Sequence, residues 1–315
     1  MPAKSETATS PFPPRIQALP AHRLSHWLLL TCLVALWGSA FAFAKIAVET
    51  IAPEWTMAGR MAVAALLLLP LCLIAGQRLP RGRQAWTWLA ALALVGNIVP
   101  FFAIAWGQQH ISSALAGILI GFTPLATLFI ARALVPDERV TPLRLAGFAI
   151  GFAGLIVVIG PGAMRDFGGE GPRLLAQLAV LGGAFCFALN NVMARLAPAM
   201  PLIAKSTGVM LVGAPAGIVL ASTATPPSFL VEAGPNALLA LGALGLFPTA
   251  LAALVFFRLV ESAGPTFVSL SNYLVPVFAA LAGYLIFGET LRPGVLAGFA
   301  MILAGIAISE WRHNS

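Results

Sequence analysis

Apolar residues run through this chain in blocks of about twenty, and most of its charge lies between the blocks or at their ends. A helix crossing the ~30 Å hydrocarbon layer of a bilayer needs about 20 apolar residues. Ten segments meet that requirement: Trp27–Val48, Trp55–Ala75, Ala85–Gln108, Ile111–Leu134, Leu143–Gly160, Leu174–Leu196, Leu202–Ser222, Ala237–Leu259, Thr266–Phe287 and Gly294–Ser309. The third-to-fourth and eighth-to-ninth connections are so short that each pair must form an antiparallel hairpin.

Composition strengthens this reading. The chain is 59% hydrophobic and 9% charged, with a mean hydropathy of +0.93. A soluble domain carries roughly 25% charged residues, so lipid must be the solvent here. The net charge of +7 does not point to nucleic acid, because the basic residues sit at the ends of apolar runs and not in one patch. With the N-terminus inside, the cytoplasmic segments hold Lys4, Arg15, Arg23, Arg78, Arg81, Arg83, Arg132, Arg139, Arg144, Arg195, Lys205, Arg258 and Arg312. The outer loops hold Arg165, Arg173 and Arg292. The asymmetry favours an even number of helices with both termini cytoplasmic, in a bacterial-type inner membrane. Trp27, Trp55, Trp86, Trp88 and Trp311 fall at helix ends, where an aromatic belt belongs. Cys32, Cys72 and Cys186 lie inside apolar runs and read as small buried hydrophobes.

The two halves echo each other. Leu145-Ala146-Gly147-Phe148-Ala149 and Ala153-Gly154 in the fifth segment recur as Leu296-Ala297-Gly298-Phe299-Ala300 and Ala304-Gly305 in the tenth. Phe41–Ala44 parallels Phe185–Ala188, Pro100 parallels Pro248, and Pro124 parallels Pro276. With an odd number of helices per half, the second half must enter the membrane upside down, a recurring design of transporters. The expected organisation is a cytoplasmic tail over 1–24, a first five-helix repeat over 25–160 and an external linker over 161–172. A second repeat over 173–311 and a short tail over 312–315 complete it.

Trp37-Gly38-Ser39, Arg60, the paired Pro124 and Pro276, and Phe287-Gly288-Glu289-Thr290-Leu291 stand in this two-times-five frame. In their order and spacing the chain resembles the ten-helix EamA-type exporters of the drug/metabolite transporter superfamily, which include amino-acid exporters. It departs from their pattern at Val135-Pro136-Asp137-Glu138, so the first-half equivalent of Glu289 stands open between Asp137 and Glu138. The resemblance implies an all-α membrane fold, a central cavity between two inverted repeats, peripheral fifth and tenth helices, and alternating access of a small metabolite.

Several residues stand out inside the apolar runs. Ser269, Asn272, Tyr273 and Pro276 share one helical stripe, which must face protein or a wet cavity. Asn97, Asn190 and Asn191 are deep amides, suited either to holding a zwitterion's carboxylate or amine or to joining helices. Trp37, mid-helix, is either packing or an apolar wall for substrate. Trp106, Gln108 and Gln109, nearer the outer end, are divided between gate and belt. Pro100, Pro124, Pro248 and Pro276 interrupt backbone ladders at mid-helix and are candidate hinges or static kinks. Lys45 and Arg60 are the ionisable groups closest to the membrane interior; snorkelling to the outer surface, with Glu49 and Glu54 as partners, is the simpler account.

Other functions lack their residues. His22, His26, His110 and His313 are scattered without metal-ligand spacing. No phosphate-binding loop serves an ATP-driven pump, and no filter sequence marks a channel. The expectation is a secondary transporter, not an enzyme, with no cofactor or metal. It works as a monomer or weak dimer on a small molecule, most readily an amino acid with an aromatic or large apolar side chain. All acidic residues lie in loops or at helix ends, which favours facilitated diffusion, with proton antiport as the alternative.

Overall fold

The computed structural model describes residues 23–107, 110–111, 113–135, 140–226, 233–287 and 294–310. Gln108, Gln109, Asp137, Glu138 and Glu289 lie outside the described residues. Among the described residues all regular structure is helical, in a short 3₁₀ turn at Pro161–Asp166 and ten longer segments. These are α1 (Leu24–Ala47), α2 (Pro53–Ile74), α3 (83–107), α4 (113–134), α5 (Pro142–Ile159), α6 (Pro172–Leu196), α7 (Leu202–Ala224), α8 (Pro235–Ala263), α9 (265–287) and α10 (Gly294–Glu310). Among the described residues eight stretches are long and apolar enough to cross a membrane, and Gly294–Glu310 is a shorter apolar helix. Proline opens α2, α5, α6, α8 and α9, a position where its missing N–H is no loss. Between α8 and α9 a single residue, Gly264 at φ 89°, reverses the chain. That left-handed conformation requires glycine.

The packing repeats itself. α1 packs on α9 as α6 packs on α4, α1 on α8 as α6 on α3, and α2 on α8 as α7 on α3. α2 packs on α7, and α5 on α10, so each of these helices meets its own counterpart. This is the contact pattern of two five-helix halves related by a pseudo-two-fold axis. The glycines shared by the internal repeat show that the axis inverts one half. A Cβ built on Gly147 would lie 2.5 Å from the Gly305 carbonyl oxygen, and one on Gly154 would lie 2.8 Å from that of Gly298. The pairs 147–305 and 154–298 run in opposite directions, so α5 and α10 are antiparallel, and their backbones touch because neither carries a side chain there.

Irregular backbone falls in equivalent helices. α3 widens into a π-turn at Leu94–Ile98 and α8 at Leu246–Leu251. The match is inexact: Pro248 sits inside its π-turn, whereas Pro100 follows the other. α4 is interrupted between Ile120 and Thr123, just before Pro124, and α9 at Leu270. Pro276 lies inside the uninterrupted part of α9.

One side of the bundle, which holds the start of α1 and the end of α10, is closed by packing. Residues 263–271 are all buried, against α4, α6 and α8. Trp27 meets Phe267 edge to face at 4.8 Å. Here the loop charges depart from expectation. Lys205 is only 2% exposed and holds Glu261 at 2.5 Å, while Arg195 donates to the Glu261 carbonyl. Arg144 lies 4.0 Å from Glu310 between α5 and α10. Trp55 is likewise no belt residue: it is buried, and its Nε1 donates to the Thr225 carbonyl.

Candidate functional site

The largest departure from the sequence reading concerns Arg60. Snorkelling would carry its head back toward the start of α2, yet the guanidinium turns the other way, into the bundle. Arg60 stands seven residues past Pro53, about 10 Å along the helix. Close approach of α2 and α8 brings it there, since a Cβ on Gly245 would lie 3.1 Å from the Arg60 carbonyl oxygen. Nε donates to Thr249 Oγ1 at 2.9 Å and Nη2 to the Pro248 carbonyl at 3.4 Å. The guanidinium carbon lies 5.4 Å from the Phe101 ring centroid. Among the described residues Nη1 makes no hydrogen bond and no carboxylate pairs with Arg60. Glu54, its expected partner, instead accepts from Thr225 at 2.9 Å.

The α8 π-turn explains the acceptors. Pro248 has no N–H to offer the Leu244 carbonyl one turn back. The Thr249 hydroxyl donates to that carbonyl at 2.7 Å and so turns a lone pair toward Arg60 Nε. A proline and the threonine after it thereby create the seat for the guanidinium.

From Arg60 the site continues across α3 to α6. Phe101 meets Phe187 edge to face at 5.8 Å. One turn away on the same α3 face is Asn97, inside the π-turn, and one turn beyond Phe187 on α6 is Asn190. The Asn190 amide fills the space that a side chain on Gly96 would need. Asn97 and Asn190 are partly exposed, and no hydrogen bond occupies either side-chain amide among the described residues. Trp37, also partly exposed, packs on Phe256 of α8 at 5.9 Å, and its indole N–H is similarly open. The π-turns of α3 and α8 thus lie beside two unbonded amides and a cation.

The remaining expected residues separate from this group. Asn191 is buried and donates to Thr127 Oγ1 at 3.2 Å, joining α6 to α4. Tyr273 is fully buried and donates to the Phe148 carbonyl of α5 at 3.0 Å. Ser269 is fully buried and bonds back to Thr266 at 2.6 Å. The α9 stripe is not one wet surface, because Ser269 and Tyr273 are both fully buried. Asn272 stays partly exposed, its amide on the Ser269 carbonyl at 3.1 Å. Pro100 and Pro248 are buried beside or within the π-turns, while Pro124 opens the second part of α4. Trp106 tilts against His110 at 5.0 Å, away from the Arg60 group. Sequence reading passed over Thr249, Phe101, Phe187 and Phe256. The available signal was a threonine directly after a mid-helix proline, a residue able to take up the carbonyl the proline orphans.

The sequence of EamA-like transporters matches this chain twice, over residues 25–160 and 174–311. The chain belongs to the EamA-like transporter family. This EamA-like protein is therefore a multi-pass membrane transporter of the drug/metabolite superfamily, not an enzyme, and its substrate is a small molecule. It is 26% identical over 280 residues to a protein of Chlamydia trachomatis named as an S-adenosylmethionine/S-adenosylhomocysteine transporter, covering 86% of this chain and 84% of that one. It is 27% identical to the inner membrane transporter YedA of Escherichia coli, covering 83% of each chain. A WAT1-related chloroplastic protein of Arabidopsis thaliana is 27% identical, over 92% of this chain and 70% of that one. A solved crystal structure shares the fold at a TM-score of 0.76 and 22% identity, covering 91% of this chain and 96% of the other.

Proposed function

We propose that this transporter is a facilitator that exports amino-acid-type metabolites across the inner membrane, with both termini in the cytoplasm. The observation that carries the reading is the set of unbonded polar groups at mid-depth, Asn97, Asn190 and the open edge of Arg60, set among Phe101, Phe187 and Trp37. Amides supply donors and acceptors for a zwitterion, and aromatic rings supply an apolar wall for its side chain. The Chlamydia relative is named for S-adenosylmethionine, an amino acid with a large ring system, which belongs to the same chemical class. Alternating access follows from the inverted halves: exchanging their packing, with the π-turns of α3 and α8 as the yielding points, opens the site to either side.

The test is purified protein in liposomes, screened with radiolabelled aromatic and aliphatic amino acids and S-adenosylmethionine. Saturable flux of an amino acid, absent from protein-free vesicles, is the expected outcome. Flux confined to solutes that lack an amino-acid group would overturn the reading.

A further inference from the structure

We infer that Arg60 is the anion-binding group of the transport site, and that the transported solute must carry a carboxylate. The inference deepens the amino-acid reading above and names the group that recognises one end of the substrate.

A guanidinium has five N–H donors in a fixed plane. Two are engaged: Nε on Thr249 and Nη2 on the Pro248 carbonyl. These lie along one edge and hold the plane in place. The end-on edge, one N–H from Nη1 and one from Nη2, is left open, and its two parallel donors suit a carboxylate in a two-bond fork. Thr249 and Pro248 thus act as positioning groups, orienting the cation without neutralising it.

A cation inside the membrane is costly, and such residues normally find an acid or mark a substrate path. No described acid is in reach. Glu54 is held by Thr225, Glu261 by Lys205, and Glu310 lies by Arg144 at the end of α10. Arg60 is also partly exposed, so the open edge is reachable. Phe101 lies against the guanidinium and Phe187 against Phe101. A carboxylate on Arg60 would therefore place the rest of its solute along an aromatic wall that ends at the Asn190 amide.

The experiment compares each acid with its own amide, in detergent-solubilised wild-type protein. Thermal stabilisation is measured with L-phenylalanine, L-leucine and L-methionine against L-phenylalaninamide, L-leucinamide and L-methioninamide, and with inorganic phosphate at matched ionic strength. At least one acid is expected to bind tenfold or more tightly than its amide. In Arg60→Gln that preference should collapse to near unity, and in Arg60→Lys it should be intermediate, since charge remains but the fork is lost. Equal stabilisation by acid and amide in the wild type, or by no acid at all, overturns the inference without recourse to any variant. Stabilisation by phosphate matching that of the acids would assign the site to an inorganic anion and also overturn it. If acid selectivity depends on Arg60 but liposomes transport no amino acid, the export reading fails while the role of Arg60 stands. If amino acids are transported and Arg60→Gln keeps the acid-to-amide preference, the reverse holds.

Discussion

Thr249 is where the physical chemistry of a single side chain has the widest reach. Its hydroxyl serves the carbonyl that Pro248 leaves open and accepts from Arg60 at the same time. Thr249→Val keeps the shape and removes both bonds, leaving a buried carbonyl and a charged donor unpaired. A loss of about 1–3 kcal/mol is expected, read by chemical denaturation in detergent, with Thr249→Ser close to wild type. Differences in bonding between the deep polar residues lead to a second prediction. Cysteines replacing Asn97 and Asn190 in a cysteine-free background should react with small aqueous thiol reagents and be protected by substrate. Cysteines at Ser269 and Tyr273, both fully buried, should stay inert. Labelling of 269 and 273 as fast as 97 and 190 would contradict this assignment of faces.

Between elements, glycine decides how near two helices come. α5 and α10 approach until backbone meets backbone at 147–305 and 154–298. Gly147→Ala and Gly305→Ala each push a methyl group into a carbonyl that a rigid helix cannot withdraw, at a cost of roughly 1–3 kcal/mol or more. Gly182→Ala is the control: a Cβ there meets nothing within 4 Å, so the thermal midpoint should hold or rise as helix propensity improves. The repeat in the sequence is therefore a contact surface, and its matching across halves is what lets the two helices pair with their equivalents. The π-turns are a different device: they re-aim side chains within a helix, and here they carry Asn97 and Thr249.

For the molecule as a whole, the placement of charge governs orientation and energy coupling. Reporter fusions after Arg83 and after Arg144 should read cytoplasmic, and fusions within 163–169 external; a cytoplasmic signal from the last would break the ten-crossing arrangement. Among the described residues every Asp and Glu lies in a loop or near a helix end. With the membrane potential clamped, a proton gradient should not drive substrate above equilibrium, and substrate should equilibrate in either direction without one. Uphill flux powered by protons alone would restore the antiport alternative and direct attention to Glu49, Glu54, Glu261 and His110.

Much of this protein is legible from one dimension. The bilayer demands about 20 apolar residues per crossing and satisfied backbone throughout, so hydropathy alone marks the ten helices. Identity at matching places, Gly147 with Gly298 and Gly154 with Gly305, shows the doubling of the halves. The direction in which a side chain turns is another matter. Arg60 and Tyr273 each had a reading from helix position, outward to water for one and toward a cavity for the other. Tertiary structure reversed both, because Gly245 lets α8 close on Arg60 and the Phe148 carbonyl of α5 takes the Tyr273 hydroxyl. Periodicity describes an unbroken helix with one partner. Where a π-turn or a break shifts the register, which groups meet depends on neighbours far away in the chain, and only the packed bundle brings those together.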